Sequence, residues 1–284
     1  MVPAWIAERV PAESWEPVTG GYTRASRFRA RFADGSSAFV KAADDDLVLR
    51  MLRREITVYE SVAGGFLPRV LEAADEGSRA YLVLEDLGEA HWPPPYPPDT
   101  RPLLAALEEV AAAPPPPPLP RLREPERGAW AAVAEDPEPL LRLGVCSRDW
   151  LEAAVEQLAV AEASVPYAGE ELVHYDVWSG NLCFAERGVV LVDWSEARIG
   201  NGRLDVALAL LSIRAEGGRP PELETPDEAG LAAYAAGVAA SGATAPLPDW
   251  AAHDATLRED QRGDLVHALR WAAGTLGISP PASG

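Results

Sequence analysis

The sequence predicts an α+β chain in two lobes: a small antiparallel-sheet part with one helix over 1–88, then a larger, mostly helical part over 89–284. Three observations predict it. Short alternating runs separated by glycine turns fill the first 86 residues around one amphipathic stretch. A proline-dense break follows, with five prolines in 93–98 and only proline in 114–118. Beyond residue 147 most apolar positions recur at helical spacing. With 284 residues the chain can bury a substantial core.

The elements follow in order. Trp15 to Tyr22 is mixed in pattern and ends in Gly20-Gly21. Ser26 to Phe32 places Phe28, Ala30 and Phe32 on one face, and Asp34-Gly35 is a hairpin turn signal. Ser37 to Ala42 is the next strand, 45–63 a helix, and Val70 to Ala74 and Ala80 to Glu85 are strands around Glu76-Gly77. No regular helix or strand is expected in the proline runs, so about 93–120 reads as a solvated polyproline insertion, with a partner-docking segment as the alternative. Ser147 caps a helix running to about Ser164, with Trp150, Leu151, Val155 and Leu158 on one stripe. Residues 171–194 turn strand-like, and helices return at 204–215, 227–241 and 257–276.

Composition narrows the partners. Asp and Glu total 44 against 25 Lys and Arg, a net charge of -19. Such a charge disfavours nucleic acid and anionic membrane surfaces, and leaves cationic or neutral small molecules. No run of 18 apolar residues exists, and Met1 to Val10 lacks a signal pattern, so the cytoplasm is the default location. Two cysteines, Cys146 and Cys183, make no disulfide framework. Lys41 is the single lysine beside 24 arginines, and Asn181 and Asn201 are the only asparagines.

The rare residues fall where chemistry concentrates. Leu182 to Phe184 and Val189 to Val192 flank the Glu186-Arg187-Gly188 turn and read as an antiparallel hairpin. Asn181 enters this hairpin and Asp193 leaves it, so an amide oxygen and a carboxylate converge. That pairing is hard-cation ligation of the kind Mg²⁺ uses with nucleotide phosphates. Asp176 lies on the loop feeding the hairpin and faces the same site. His174-x-Asp176-x-x-x-x-Asn181 is the pattern of a phosphotransferase catalytic loop followed by a metal-binding Asp. On the 45–63 helix Glu55 falls within the apolar face defined by Val48, Leu52, Tyr59 and Val62, a costly place for an unpaired carboxylate. Lys41 on the preceding strand is its natural partner, which would fix the ammonium against nucleotide phosphates; Glu60 is the weaker choice. The Gly20-Gly21 turn could close over those phosphates.

With these motifs the chain resembles the aminoglycoside phosphotransferase and choline kinase group, within the protein-kinase-like fold, from about Gly20 to about Leu211. The order matches: Gly-rich turn, Val40-Lys41, Glu55, Leu82-Val83-Leu84-Glu85-Asp86-Leu87 as hinge, His174-x-Asp176, Asn181, Asp193-Trp194, then Ile199 to Asp205. The resemblance implies a bilobal enzyme using ATP, with GTP left open, and Mg. Asp176 would orient the acceptor hydroxyl and take its proton. Asn181 and Asp193 would hold the metal. Lys41, set by Glu55, would meet the phosphates, and the backbone around Glu85 and Leu87 the adenine. His174 would hold the loop in shape, and Asp205 would cap the next helix and brace the loop. Two positions depart: Tyr175 stands where the group commonly has Gly, and Trp178-Ser179 where a polar residue and Pro are common; Trp178 could shape the acceptor pocket. The implied acceptor is a hydroxyl on a small molecule, an aminoglycoside or related antibiotic, and the acidic balance suits a cation. A metabolite kinase acting on choline, an amino alcohol or a sugar is the alternative, and a non-catalytic nucleotide-binding pseudokinase the alternative from another class. No nucleic acid or membrane partner is expected, and the chain would act as monomer or dimer.

Overall fold

The computed structural model describes residues 2–19, 25–221, 224, 228–247 and 255–281. Gly20 and Gly21 lie outside them. The chain divides into two compact units: Met1–Pro93, Arg101–Arg121 and Glu170–Ile199 form one, and Pro94–Thr100, Leu122–Gly169 and Gly200–Gly284 the other. The fold is α+β, with an antiparallel sheet in the first unit and helices dominating the second.

In the first unit α1 (Ala4–Arg9) precedes β1 (Ser14–Pro17), β2 (Ser26–Arg31) and β3 (Ser37–Ala43). Helix α2 (Asp46–Ser61) and strands β4 (Val70–Asp75) and β5 (Ala80–Glu85) follow. The five strands are antiparallel in the order β1-β2-β3-β5-β4. The pleat sorts β3: Ala38, Val40 and Ala42 join Ile6 of α1 and Val10 just after it in an apolar core, so Phe39 and Lys41 face the other way. Asp45 caps α2, its carboxylate accepting from the Leu47 N–H (3.0 Å) and the Val48 N–H (3.3 Å).

The segment 93–120 differs from the expectation. Between its proline runs lies α3 (Arg101–Ala112), which buries Leu103, Ala106, Leu107 and Val110. Pro102 falls in the first turn, where a missing N–H is harmless, and the Leu103, Leu107, Val110 spacing supplies an apolar stripe against β6 (Glu171–Val173) and β8 (Gly188–Leu191). The flanking prolines mark the helix ends. Strands β7 (Leu182–Ala185) and β8 form the expected hairpin, Leu182 opposite Leu191. β9 (Arg198–Gly200), unforeseen in the sequence, pairs with β6.

The second unit holds α4 (Ala129–Glu135), α5 (Glu138–Leu141), α6 (Arg148–Ala163), α7 (Arg203–Ala215), α8 (Ala229–Thr244) and α9 (Ala255–Leu276). Ser147 caps α6 as expected, accepting from the Trp150 N–H at 3.1 Å. α8 is alanine-rich and buried along most of its length, packing on α6, α7 and α9. Glu162 of α6 is a buried carboxylate that accepts from the Ala129 and Trp130 N–H groups, each at 3.0 Å, and so closes the N-terminus of α4. A Cβ on Gly237 of α8 would come within 2.8 Å of the Glu162 carboxylate, so a larger residue there would have to displace it. Asp205 is a correction: α7 begins at Arg203, so Asp205 sits buried in its first turn and not at the cap. A carboxylate there still complements the helix dipole.

Candidate active site

The sheet and the hairpin of the first unit supply the charged groups. Lys41 is 4% exposed and Glu55 1%, and their side chains form a buried ion pair. The Lys41 Nζ also donates to Asp193 Oδ1 at 3.0 Å. One ammonium thus bridges two carboxylates from α2 and from the end of β8. Burial drives the Glu55 carboxyl upward, the Lys41 ammonium opposes this, and the Asp193 charge adds to the rise. For Asp193 burial is outweighed by Lys41, with help from Ser195 and Arg27, and its pKa falls to about 2. Asp193 therefore carries a full negative charge throughout the neutral range.

The loop before the hairpin is fixed by its own polar groups. His174 is fully buried, its ring centroid 4.5 Å from that of Trp194 and tilted 58° to it, and its Nε2–H donates to the Val192 carbonyl at 2.9 Å. Burial lowers its pKa to about 4, so the ring is neutral. Asn181 donates from Nδ2 to the Asp176 carbonyl (3.0 Å) and to Asp176 Oδ2 (2.8 Å). That commitment leaves Oδ1 as the amide's outward acceptor. The Val192 N–H donates to the Asn181 carbonyl at 2.9 Å, which holds the entry and exit of the hairpin together. Burial and the Asp193 charge raise Asp176 to about 6, against the hydrogen bond from Asn181.

Two residues, one on either side of the hairpin, adopt the left-handed region without being glycine: Tyr175 at φ 65° and Asp193 at φ 60°. Each costs on the order of 1–2 kcal/mol and persists because the surroundings over-determine it. At Tyr175 the Arg198 guanidinium lies 5.8 Å from the ring centroid, an offsetting attraction.

These groups open onto a cavity of about 480 Å³. Lys41, Glu55, Asn181 and Asp193 line one end; Phe39, Leu84, Glu85, Leu87 and Trp92 line the rest. At the hinge the side chains are tied back. The Glu85 carboxylate accepts from the Arg69 N–H (2.8 Å) and side chain (3.1 Å) and from Arg187. Asp86 accepts from the Ser37 hydroxyl (2.7 Å) and the Gly88 N–H (2.9 Å) and pairs with Arg29 (2.8 Å).

The family model described as APH, phosphotransferase enzyme family, matches residues 14–254. The chain belongs to this phosphotransferase family. Comparison with curated protein sequences finds no match. Among solved structures, a thermostable mutant of aminoglycoside phosphotransferase APH(4)-Ia in its apo form aligns at TM-score 0.62 and 17% identity. That alignment covers 96% of this chain and 100% of that one. Macrolide 2'-phosphotransferase MphH from Brachybacterium faecium aligns at TM-score 0.52 and 14% identity, covering 92% and 95%. At such identities the likeness concerns the fold, and the sheet-plus-helices architecture expected of a kinase-like phosphotransferase is the one found.

In this phosphotransferase the structure brings together Lys41, Glu55, Asp176, Asn181 and Asp193, all from the first compact unit, with His174 buried behind the loop. Glu85 and Leu87 line the same cavity. Sequence reasoning missed Arg27, whose guanidinium lies 3.9 Å from Asp193 Oδ2. It also missed Trp92, which lines the cavity beside the hinge. The β2–β3 register sets Arg27 opposite Lys41, and the Asp34-Gly35 turn was the signal from which that register could have been counted. Trp92 carried no signal, because it directly precedes a proline run.

Proposed function

We propose that this phosphotransferase moves the γ-phosphoryl group of ATP to a hydroxyl of a small-molecule acceptor. The observation that carries this reading is the convergence of Asn181, Asp193 and the Lys41–Glu55 pair at one end of the cavity, with Asp176 hydrogen-bonded to Asn181. The oxygen donors suit Mg²⁺, which takes one or two protein ligands and completes its shell with phosphate and water. Asn181 Oδ1 and the ionised Asp193 would hold it, and bound Mg²⁺ supplies charge neutralisation for the phosphates.

The remaining work belongs to the protein. Lys41, held by Glu55, presents its ammonium to the phosphates. Asp176, oriented by Asn181, accepts the acceptor's hydroxyl proton as that oxygen bonds to the γ-phosphorus and the bond to the β–γ bridging oxygen breaks, releasing ADP. His174 keeps the loop in register through Val192. Residues 1–88 would bind nucleotide and the helices of 89–284 the acceptor. An antibiotic bearing amino groups suits a chain of net charge -19. A structure of the APH(4)-Ia mutant that aligns at TM-score 0.58 and 17% identity is a ternary complex with AMP-PNP and hygromycin B, which supports both halves of the reading. The site of action is the cytoplasm, where ATP is abundant.

The test is Mg·ATP-dependent ADP release against aminoglycosides, choline, amino alcohols and sugars, with Asp176→Asn as control. Acceptor-stimulated release is expected, with kcat lowered about 10²–10⁴-fold in the variant while Mg·ATP affinity persists. Turnover surviving in Asp176→Asn would defeat the assigned role, and absence of nucleotide binding would defeat the function.

A further inference from the structure

We infer that the hinge end of the cavity selects adenine over guanine nucleotides, with Trp92 as the selecting residue; this rests on the phosphotransferase reading of the same cavity. The decisive atom is the Leu87 carbonyl oxygen. It accepts from the Ala90 N–H at 3.0 Å and from the Trp92 indole Nε1–H at 3.0 Å. A carbonyl oxygen has two lone pairs, so this one is full. The Leu87 N–H has no acceptor among the described residues. Position 87 therefore offers a donor and withholds its acceptor.

The two bases read such a wall differently. Adenine presents a ring acceptor, N1, beside one donor, the 6-amino group. N1 takes the Leu87 N–H, and the amino group extends along the hinge toward the Glu85 carbonyl. Guanine presents an acceptor, O6, followed by two donors, N1–H and the 2-amino group. If O6 takes the Leu87 N–H, the N1–H meets the filled Leu87 carbonyl. A carboxylate would rescue both guanine donors, and the wall contains two, Glu85 and Asp86. Both are engaged elsewhere: Arg69 and Arg187 fill the Glu85 carboxylate, and Asp86 is drawn to the Ser37 hydroxyl, the Gly88 N–H and the Arg29 guanidinium. A buried donor left without a partner is the expensive outcome in such a site.

The inference predicts a penalty for any donor that the base sets against the Leu87 carbonyl, and nucleotide analogues test it. Competition calorimetry on the full chain would use Mg²⁺ with the triphosphates of adenosine, guanosine, inosine and 2,6-diaminopurine riboside. The adenosine nucleotide is expected to bind about tenfold or more tightly than the guanosine and inosine nucleotides, and more tightly than the diaminopurine one, whose 2-amino group meets the same filled carbonyl. Trp92→Phe, which keeps the ring and deletes the N–H, frees one lone pair on Leu87. It is expected to narrow the adenosine-to-guanosine ratio several-fold by gaining guanosine affinity while the melting temperature stays close to the parent's. Inosine nucleotide binding as well as adenosine nucleotide would overturn the inference, because its N1–H would then meet no penalty at the Leu87 carbonyl. An unchanged ratio in a folded Trp92→Phe would overturn the role of Trp92. Binding of none of the four would sink this inference together with the phosphotransferase reading, whereas equal binding of all four would sink this inference alone.

Discussion

Each compact unit buries a glutamate, and the two are used in opposite ways. Glu55 in the first unit is 1% exposed and faces an ammonium that a second carboxylate shares. Glu162 in the second is 3% exposed and faces two backbone N–H groups. Burial raises the pKa of both. The difference is in what would be left behind. Around Glu55 the charges are side chains at a cavity wall, so their arrangement can serve a ligand. Around Glu162 the partners are the fixed donors of a helix end, so the carboxylate only completes the fold. A buried charge marks a functional site when its partners are themselves charged and open to a cavity.

Substitutions at four positions sharpen that contrast. Glu55→Gln keeps the volume and removes the charge that positions Lys41; kcat/KM for Mg·ATP should drop roughly 10–100-fold with the melting temperature little changed. Parent-like kinetics would make Glu55 structural after all. His174 is next. Its pKa is about 4 in the folded chain against 6.5 unfolded, so folding favours the neutral ring. Stability from this group is complete above pH 6.5 and declines as pH falls through 4, by on the order of 3 kcal/mol. The difference in urea stability between the parent and His174→Gln should therefore shrink on acidification over that range; a constant difference would count against a buried neutral imidazole.

Glu162→Ala strands two buried N–H groups and should cost about 2–3 kcal/mol, read as a lower melting temperature, with kcat/KM intact below the transition. Loss of activity at full foldedness would erase the distinction between the two glutamates. The smallest effect concerns Tyr175. Tyr175→Gly and Tyr175→Ala both remove the ring, but only glycine is at ease at φ 65°. The glycine variant should be the more stable of the two by about 1 kcal/mol, and equal stabilities would mean the loop relaxes out of that conformation.

Tyr175 also shows how far sequence reading reached. The group this chain resembles commonly carries Gly after the loop histidine, and the backbone here takes the glycine-like conformation even with Tyr in place. The local pattern persisted when the residue that explains it did not. Helix α3 shows the reverse failure. Its Leu103, Leu107 and Val110 stripe was present in the sequence, but the proline runs on either side drew the whole segment into one solvated insertion. The hinge was legible as a strand end, while the occupancy of the Leu87 carbonyl was not, since a turn and an indole decide it.

The sequence by itself determined the strand and helix periods, the hairpin that brings Asn181 beside Asp193, and the paired need of Lys41 and Glu55. Those follow from repeats a few residues long, which fix backbone conformation and side-chain facing locally. Only the tertiary structure decided which distant groups meet. Lys41 and Asp193 are separated by 152 positions, and Arg187 reaches Glu85 across 102. Such contacts depend on how the elements pack: Lys41 keeps Asp193 charged against its burial, burial keeps His174 neutral, and Ala90 and Trp92 close the carbonyl of Leu87.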